Sequence, residues 1–341
     1  MDQLGIYLHW DRRQHRTVTR QVYSVQAVLQ QLDDSYKRFF KKQGGRPRFR
    51  KVKKRKSFTL KQAGWKLIDC DKPKRGITRI MGKDYKFVMH RPIKGDIKTV
   101  TIKRDVAGQL WVIFSVVECM LIPDKVEISA GKIGGFDFGL KHFLTDSDGY
   151  TVASPQYFKQ DLSRMRKIQS RVSKKPDGSN NKRNGLKHIA RRHIRIADKR
   201  RDFAFKLAHE LCDNFDILCF EDLNLNGMKK LWGRKVSDLG FAQFVNILEW
   251  VAYKRGKRVV FIDRWERTTG KCSTCGHKQN LELKDRTFHC EACGFVLDRD
   301  HNASINILEA GRCLILSESG QTSKLASTLV DDRSPRLKAD A

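Results

Sequence analysis

The residues of this chain best suited to chemistry are three carboxylates in apolar company and four cysteines in two close pairs. Asp137 lies in Ile133-Gly-Gly-Phe-Asp-Phe-Gly-Leu140, an otherwise apolar run. Glu221 ends the run Phe215-Asp-Ile-Leu-Cys-Phe-Glu221, and Asp300 sits in Asp298-Arg-Asp-His-Asn302, where a helical pattern begins. Removing a lone carboxylate from water is expensive, so an acid inside an apolar strand calls for a cation. Each acid also has a plain structural reading, as a helix cap at Asp300 or a strand-end charge at Glu221. Three acids meeting over one sheet would instead hold two Mg2+ or Mn2+ ions about 4 Å apart, one activating water and the other stabilising the leaving 3′-oxygen.

The cysteines form Cys272-Ser-Thr-Cys275 and Cys290-Glu-Ala-Cys293, separated by fourteen residues and each followed by glycine. A CxxC turn aims two thiolates at one ion, and the glycine lets the turn close. Two such turns complete a tetrahedral Zn2+ site, and four thiolates leave no open position, so the role expected is structural. The other five cysteines are scattered, which suits a reducing compartment and not a disulfide framework.

Elements that would position these groups can be read from periodicity. Residues 133–140, 142–146 and 150–153 read as three antiparallel strands, the opening of an RNase H-like fold, with residues 215–220 as a further buried strand. Helices are expected over 21–41, over 156–213 with a break at 175–184, over 237–255 and from Asn302 onward. Residues 57–128 alternate short apolar runs with turns, and Lys98–Lys103 with Leu110–Glu118 predicts a hairpin within a small β-barrel or sheet. The tail from Ser317 is polar and charged and is expected to be disordered.

Sixty-nine Lys and Arg against thirty-eight Asp and Glu give a net charge of +31. Such a surplus repels itself unless a polyanion neutralises it, and nucleic acid is the first candidate. Arg46, Arg48, Arg50 and Lys51 in one basic run, and Lys187, Arg191, Arg192, Arg195, Lys199 and Arg200 on one helix, are the expected phosphate contacts. No apolar run has the length of a transmembrane helix and Met1–Trp10 lacks a signal-peptide layout, so a soluble, intracellular protein with no membrane partner is expected.

The segments GGFDFGLKHFLTDSDG, FEDLNLNGM, KCSTCGHK and CEACGFVLDRDHNASINIL resemble those of the transposon-encoded TnpB nucleases, relatives of compact type V CRISPR effectors. The resemblance covers roughly residues 20–312. It implies a split RuvC-like domain with Asp137, Glu221 and Asp300 as catalytic triad, a zinc ribbon inserted before the last RuvC segment, and a guide RNA from the transposon end directing cleavage of double-stranded DNA. Asp300, directly before His301 and Asn302, takes the family position in preference to Asp298. Two features depart from the family pattern. Members usually begin with a further strand and helices of several dozen residues, and their Pro-Ser-Ser before the first zinc cysteine is Arg267-Thr268-Thr269 here.

The expected architecture is therefore mixed α/β. Residues 1–50 would be a truncated helical recognition segment, 51–129 a β-barrel, 130–266 and 298–316 the RuvC-like domain, 267–297 the ribbon and 317–341 the tail. The expected activity is RNA-guided, metal-dependent DNA cleavage. The alternatives are a guided DNA-binding repressor that does not cut and a transposase acting on transposon-end DNA.

Overall fold

The structure is a computed structural model, and it describes residues 3–6, 19–48, 56–61, 63–68, 74–118, 121–124, 126, 131–224, 227, 233, 238–282 and 285–318. These fall into two units, one of residues 1–120 with 171–191, the other of 121–170 with 192–341.

The first unit is built on a seven-stranded antiparallel sheet. Its strands are β1 (Gln3–Ile6), β2 (Ser57–Leu60), β3 (Trp65–Ile68), β4 (Arg75–Ile80), β5 (Lys83–Val88), β6 (Asp96–Arg104) and β7 (Leu110–Val117), in the order β2-β6-β7-β1-β5-β4-β3. The predicted hairpin is β6–β7, with Val100 facing Phe114 and Ile102 facing Val112. Those four residues join Leu60, Ile80 and Phe87 in one core. Among the described residues no pairing joins β2 to β3. The sequence reading placed no strand before residue 20, yet β1 pairs with β7 on one side and β5 on the other. A four-residue segment has too few positions to display a period.

Helix α1 (Thr19–Phe40) forms where the helix is expected, but Ala27 is buried while Val25, Leu29, Leu32, Tyr36 and Phe40 of the expected apolar row are exposed. Helices α2 (Tyr157–Ser173) and α3 (Asn180–Asn214) are the two expected basic helices, and they form a hairpin whose second helix begins inside the expected break. At its tip a Cβ on Gly185 would stand 2.5 Å from Val172, so the two helices touch there.

The second unit carries a five-stranded sheet of order β10-β9-β8-β11-β12, from β8 (Ile133–Asp137), β9 (His142–Asp146), β10 (Thr151–Ala153), β11 (Ile217–Glu221) and β12 (Arg258–Ile262). β8, β9 and β10 are antiparallel neighbours, whereas β11 runs parallel to both β8 and β12. This is the arrangement expected for an RNase H-like domain. One face packs a phenylalanine-rich core under α3 and α4 (Phe241–Lys254), including Phe136, Phe143, Phe220, Phe241 and Phe244. The other face, with Ile217, Cys219 and Ile262, is covered by α5 (Arg299–Glu318) through Ile307 and Ile315. Helix α5 thus continues to Glu318, beyond the expected start of the tail, and residues 319–341 lie outside the described residues. No described helix is long and apolar enough to cross a membrane.

Candidate active site

Strand period places the first two acids. Phe136 of β8 is in register with Phe220 of β11, and their rings stack 5.0 Å apart on the phenylalanine face. Side chains alternate along a strand, so the next residues, Asp137 and Glu221, turn to the opposite face, level with each other on strands about 4.8 Å apart. Two residues back on that face stands Gly135. A Cβ there would lie 2.2 Å from the Ser304 carbonyl oxygen and 2.5 Å from the Leu308 nitrogen. At Gly311 a Cβ would lie 2.3 Å from the Cys219 sulfur. Helix α5 therefore lies against the sheet with almost no side-chain spacer, one glycine on each partner permitting the approach.

That approach brings the third acid to the other two. Asp300 is in the first turn of α5, and its Oδ2 lies 3.5 Å from where a Cβ on Gly139 would stand, two residues beyond Asp137. The helix cap is Asp298, whose Oδ1 accepts the N–H groups of Asp300 and His301 at 2.9 and 3.2 Å. The capping reading of Asp300 is thereby transferred to its neighbour. Arg299 holds one Asp300 oxygen at 3.1 Å.

Electrostatics agree with the geometry. Asp137 has its carboxyl pushed well above the usual carboxylate range, first by burial and then by the charges of Asp300 and Glu221, with Arg299 offsetting part. Glu221 is also raised, chiefly by burial, while a hydrogen bond from Thr268 works against the rise. Like charges gathered at one buried spot are costly, and divalent cations relieve that cost. The acids' donor chemistry, oxygen only, fits Mg2+ or Mn2+. Among the described residues the three carboxylates are not drawn within 4.8 Å of one another, as the four thiols are. Ligands shared between two cations about 4 Å apart are not required to be. Other acids of the sheet are used structurally. Asp146 accepts the N–H groups of Asp148 and Tyr150 in a turn, Asp222 pairs with Arg264, and Asp216 pairs with Lys257.

The four cysteines converge as expected. Cys272 and Cys293 Sγ are 3.8 Å apart and Cys275 and Cys290 Sγ are 3.5 Å apart. A tetrahedron of Zn–S bonds near 2.3 Å has sulfur–sulfur edges of about 3.8 Å. The Cys290 thiol is lowered to about 6, the Cys293 backbone N–H being the largest cause. Around them β13 (Thr287–His289) and β14 (Val296–Asp298) form a two-stranded hairpin, and Phe288 with Cys272 and Cys290 makes a small buried core.

Residues 241–307 match the family model described as Cas12f1-like, TNB domain, and residues 120–231 match the one described as probable transposase. A Streptomyces pristinaespiralis protein named "Putative RNA-guided DNA endonuclease" is 31% identical over 89% of this chain and 75% of that protein. The chain belongs to the TnpB-like family. An Escherichia coli relative with the same description, InsQ, is 27% identical over 85% of this TnpB-like chain and 75% of its own length. The TnpB-like protein L79 of Acanthamoeba polyphaga mimivirus is 28% identical, and the chain spans under half of it, 46%. Among solved structures, a Cas12f1–sgRNA–target DNA complex shares the fold with a TM-score of 0.57 at 16% identity, over 84% of this chain and 70% of that one.

The basic residues of this TnpB-like chain divide into two sets. Lys187, Arg191, Arg195 and Lys199 are exposed and follow one another every four residues along α3. Arg192 and Arg200 lie on a neighbouring row with buried Ile196 between them. Arg192 pairs with Asp161 at 3.0 Å and Arg200 with the buried Asp238 at 2.6 Å. These two, read from sequence as phosphate contacts, are committed to intramolecular ion pairs. Arg46 and Arg48 are exposed, and Arg50 and Lys51 lie outside the described residues.

Sequence reading missed the polar residues that assemble the site, Asp298, Thr268, Asn302 and Asn306. The pair Asn302 and Asn306 carried a signal, amides four residues apart inside an apolar helix, which demands buried partners.

Proposed function

We propose that this chain is an RNA-guided DNA endonuclease of transposon origin that hydrolyses DNA at Asp137, Glu221 and Asp300. One observation carries the reading: Asp137 and Glu221 stand level on neighbouring strands, and the glycine-permitted packing of α5 sets Asp300 beside them, so that Asp137 is held above its ordinary range by burial first and then by the charges of the other two. Mg2+ or Mn2+, when bound, would supply a water-derived nucleophile and charge neutralisation at the leaving 3′-oxygen, leaving 5′-phosphate and 3′-hydroxyl ends. The chain's own part is to fix the three carboxylates, and to shield one face of them with α5. The cysteine set would hold a structural Zn2+.

Sequence specificity would come from base pairing of a guide RNA with the target strand, while the protein follows backbone and shape. The exposed row Lys187, Arg191, Arg195 and Lys199, with Arg46 and Arg48, is suited to tracking phosphates. A transposon-end RNA is the guide expected for this family.

The reading is tested by sequencing nucleic acid that copurifies with the protein and then offering matched plasmid DNA with Mg2+. A defined RNA ending in a variable guide, together with cleavage, supports the proposal. Protein free of RNA that selectively shifts transposon-end DNA supports the transposase implied by the probable-transposase match. Guided binding without cleavage supports a repressor.

A further inference from the structure

We propose that Thr268 is the residue that positions Glu221 for its cation, and that it passes to Glu221 the state of the cysteine ribbon. The proposal rests on the nuclease reading above. The connector from β12 to the first CxxC turn is exposed at Asp263–Arg267 and at Thr269, and Thr268 alone within it is buried, at 4% exposure. A buried hydroxyl needs a partner. The partner here is Glu221, whose Oε2 accepts from Thr268 Oγ1 at 3.5 Å, a long hydrogen bond.

The backbone around that hydroxyl is clamped. Asn306 Nδ2 donates to the carbonyl oxygens of Thr268 and Lys271, both at 2.7 Å. Asn302 Nδ2 donates to Lys271 O at 2.7 Å, and its Oδ1 accepts the Ser273 N–H at 3.0 Å. Both amides are on α5 and buried, at 0% and 4% exposure. The segment they hold begins at the partner of Glu221 and ends one residue past the zinc ligand Cys272. Within it, Gly270 O accepts from Gln279 N and Cys272 N donates to His277 O, both at 2.9 Å, so the segment is tied to the ribbon as well. Helix α5, which carries Asp300, therefore fixes the ribbon entry, and the ribbon entry fixes Glu221.

The chemistry favours a positioning role. Glutamate has three side-chain torsions, and a strand-end glutamate facing other acids would rotate away from them. A hydroxyl on one carboxylate oxygen restrains that rotation and leaves the other oxygen for a cation, as partners behind metal ligands commonly do. Position 268 keeps a hydroxyl here although the family's Pro-Ser-Ser has become Arg-Thr-Thr.

The test uses the full chain with its zinc and reads the Mg2+ concentration that gives half of the Mg2+-induced rise in melting temperature. Mg2+ is a hard, oxygen-seeking ion and reports on the carboxylates, not the thiols. Thr268→Val, which keeps the shape and removes the hydroxyl, should raise that concentration roughly tenfold. Zinc content should stay at the wild-type value, and Thr268→Ser should restore Mg2+ binding. Thr268→Ala gives the same reading should the valine variant lose its zinc. Cys293→Ser should weaken Mg2+ binding in the wild-type background and have much less further effect beside Thr268→Val, a non-additive cycle. Wild-type Mg2+ binding in Thr268→Val and Thr268→Ala, with Asp137→Asn still impaired, would overturn the positioning role alone. Wild-type Mg2+ binding in Asp137→Asn would overturn the metal site itself and this inference with it.

Discussion

Gly135 of β8 lies so close to α5 that a Cβ on it would stand 2.2 Å from the Ser304 carbonyl oxygen. The obstacle is helix backbone, which cannot swing aside as a side chain could. The contact sets the height of α5 over the sheet, and Asp300 is four residues before Ser304 on the same helix.

Gly135→Ala should therefore lift α5 and draw Asp300 away from Asp137. Overpacking of this kind costs about 1–3 kcal/mol, and a misplacement near 1 Å costs about 100-fold in rate. Melting temperature and single-turnover cleavage should both fall in Gly135→Ala. Gly44→Ala, at an exposed glycine with nothing within 4 Å of its would-be Cβ, should change neither.

Asp137 gives a pH dependence with a definite sign. Burial and two like charges raise its carboxyl in the folded state above the value of about 4 that it has when unfolded. Its folded form thus favours the proton, and its contribution to stability is lost as pH rises from about 4 through the folded value. In metal-free buffer Asp137→Asn should melt a few degrees above wild type at neutral pH. The gap should close as pH falls toward 4, and saturating Mg2+ should narrow or reverse it at pH 7. A pH-independent gap would mean that the substitution acts through packing instead.

The ribbon has too small a core to hold its shape unaided, since among the described residues its buried cluster is Phe288 with Cys272 and Cys290. Purified protein should contain about one zinc per chain, by the four-thiolate geometry. Stripping it should expose residues 271–298 to proteolysis while the five-stranded sheet stays folded. Retention of protease resistance without the metal would remove zinc from the account.

The two rows of α3 should separate by salt. Arg191→Ala and Arg195→Ala should each weaken RNA binding and reduce the slope of log affinity against log salt by about one. Arg200→Ala should instead lower stability by roughly 3 kcal/mol, because it strands Asp238, which is 7% exposed at its side chain. Asp238 also caps α2 by accepting the N–H groups of Phe158 and Lys159. Equal salt slopes for all three variants would contradict the assignment.

The period of residues was enough to find the strand of Asp137, the strand of Glu221, the α2–α3 break and the cysteine cluster, because each is a local pattern. Three kinds of information were not local. Strand β1 is four residues long and is defined by its partners β5 and β7, so no pattern within it reveals it. The division of α3 into an exposed row and an ion-paired row depends on Asp161 and Asp238, which are distant in sequence. The cap at Asp298 and the holding of residues 268–273 by Asn302 and Asn306 are matters of geometry between acids, amides and backbone that residue types alone leave open. Gly135 was visible in the Gly-Gly of β8, but its meaning required knowing that α5 lies on that face.

Asp137, Glu221 and Asp300 are proposed to form one divalent-metal nuclease centre serving a guided protein. The most direct measurement is the cleavage rate of guide-matched duplex DNA by the protein loaded with its copurified RNA, in Mg2+ and in EDTA, for wild type and for Asp137→Ala. A nuclease centre of these three acids should give cleavage by wild type in Mg2+ alone, and none by Asp137→Ala although that variant still binds the RNA. Cleavage at the wild-type rate by Asp137→Ala, or by wild type in EDTA, would contradict it.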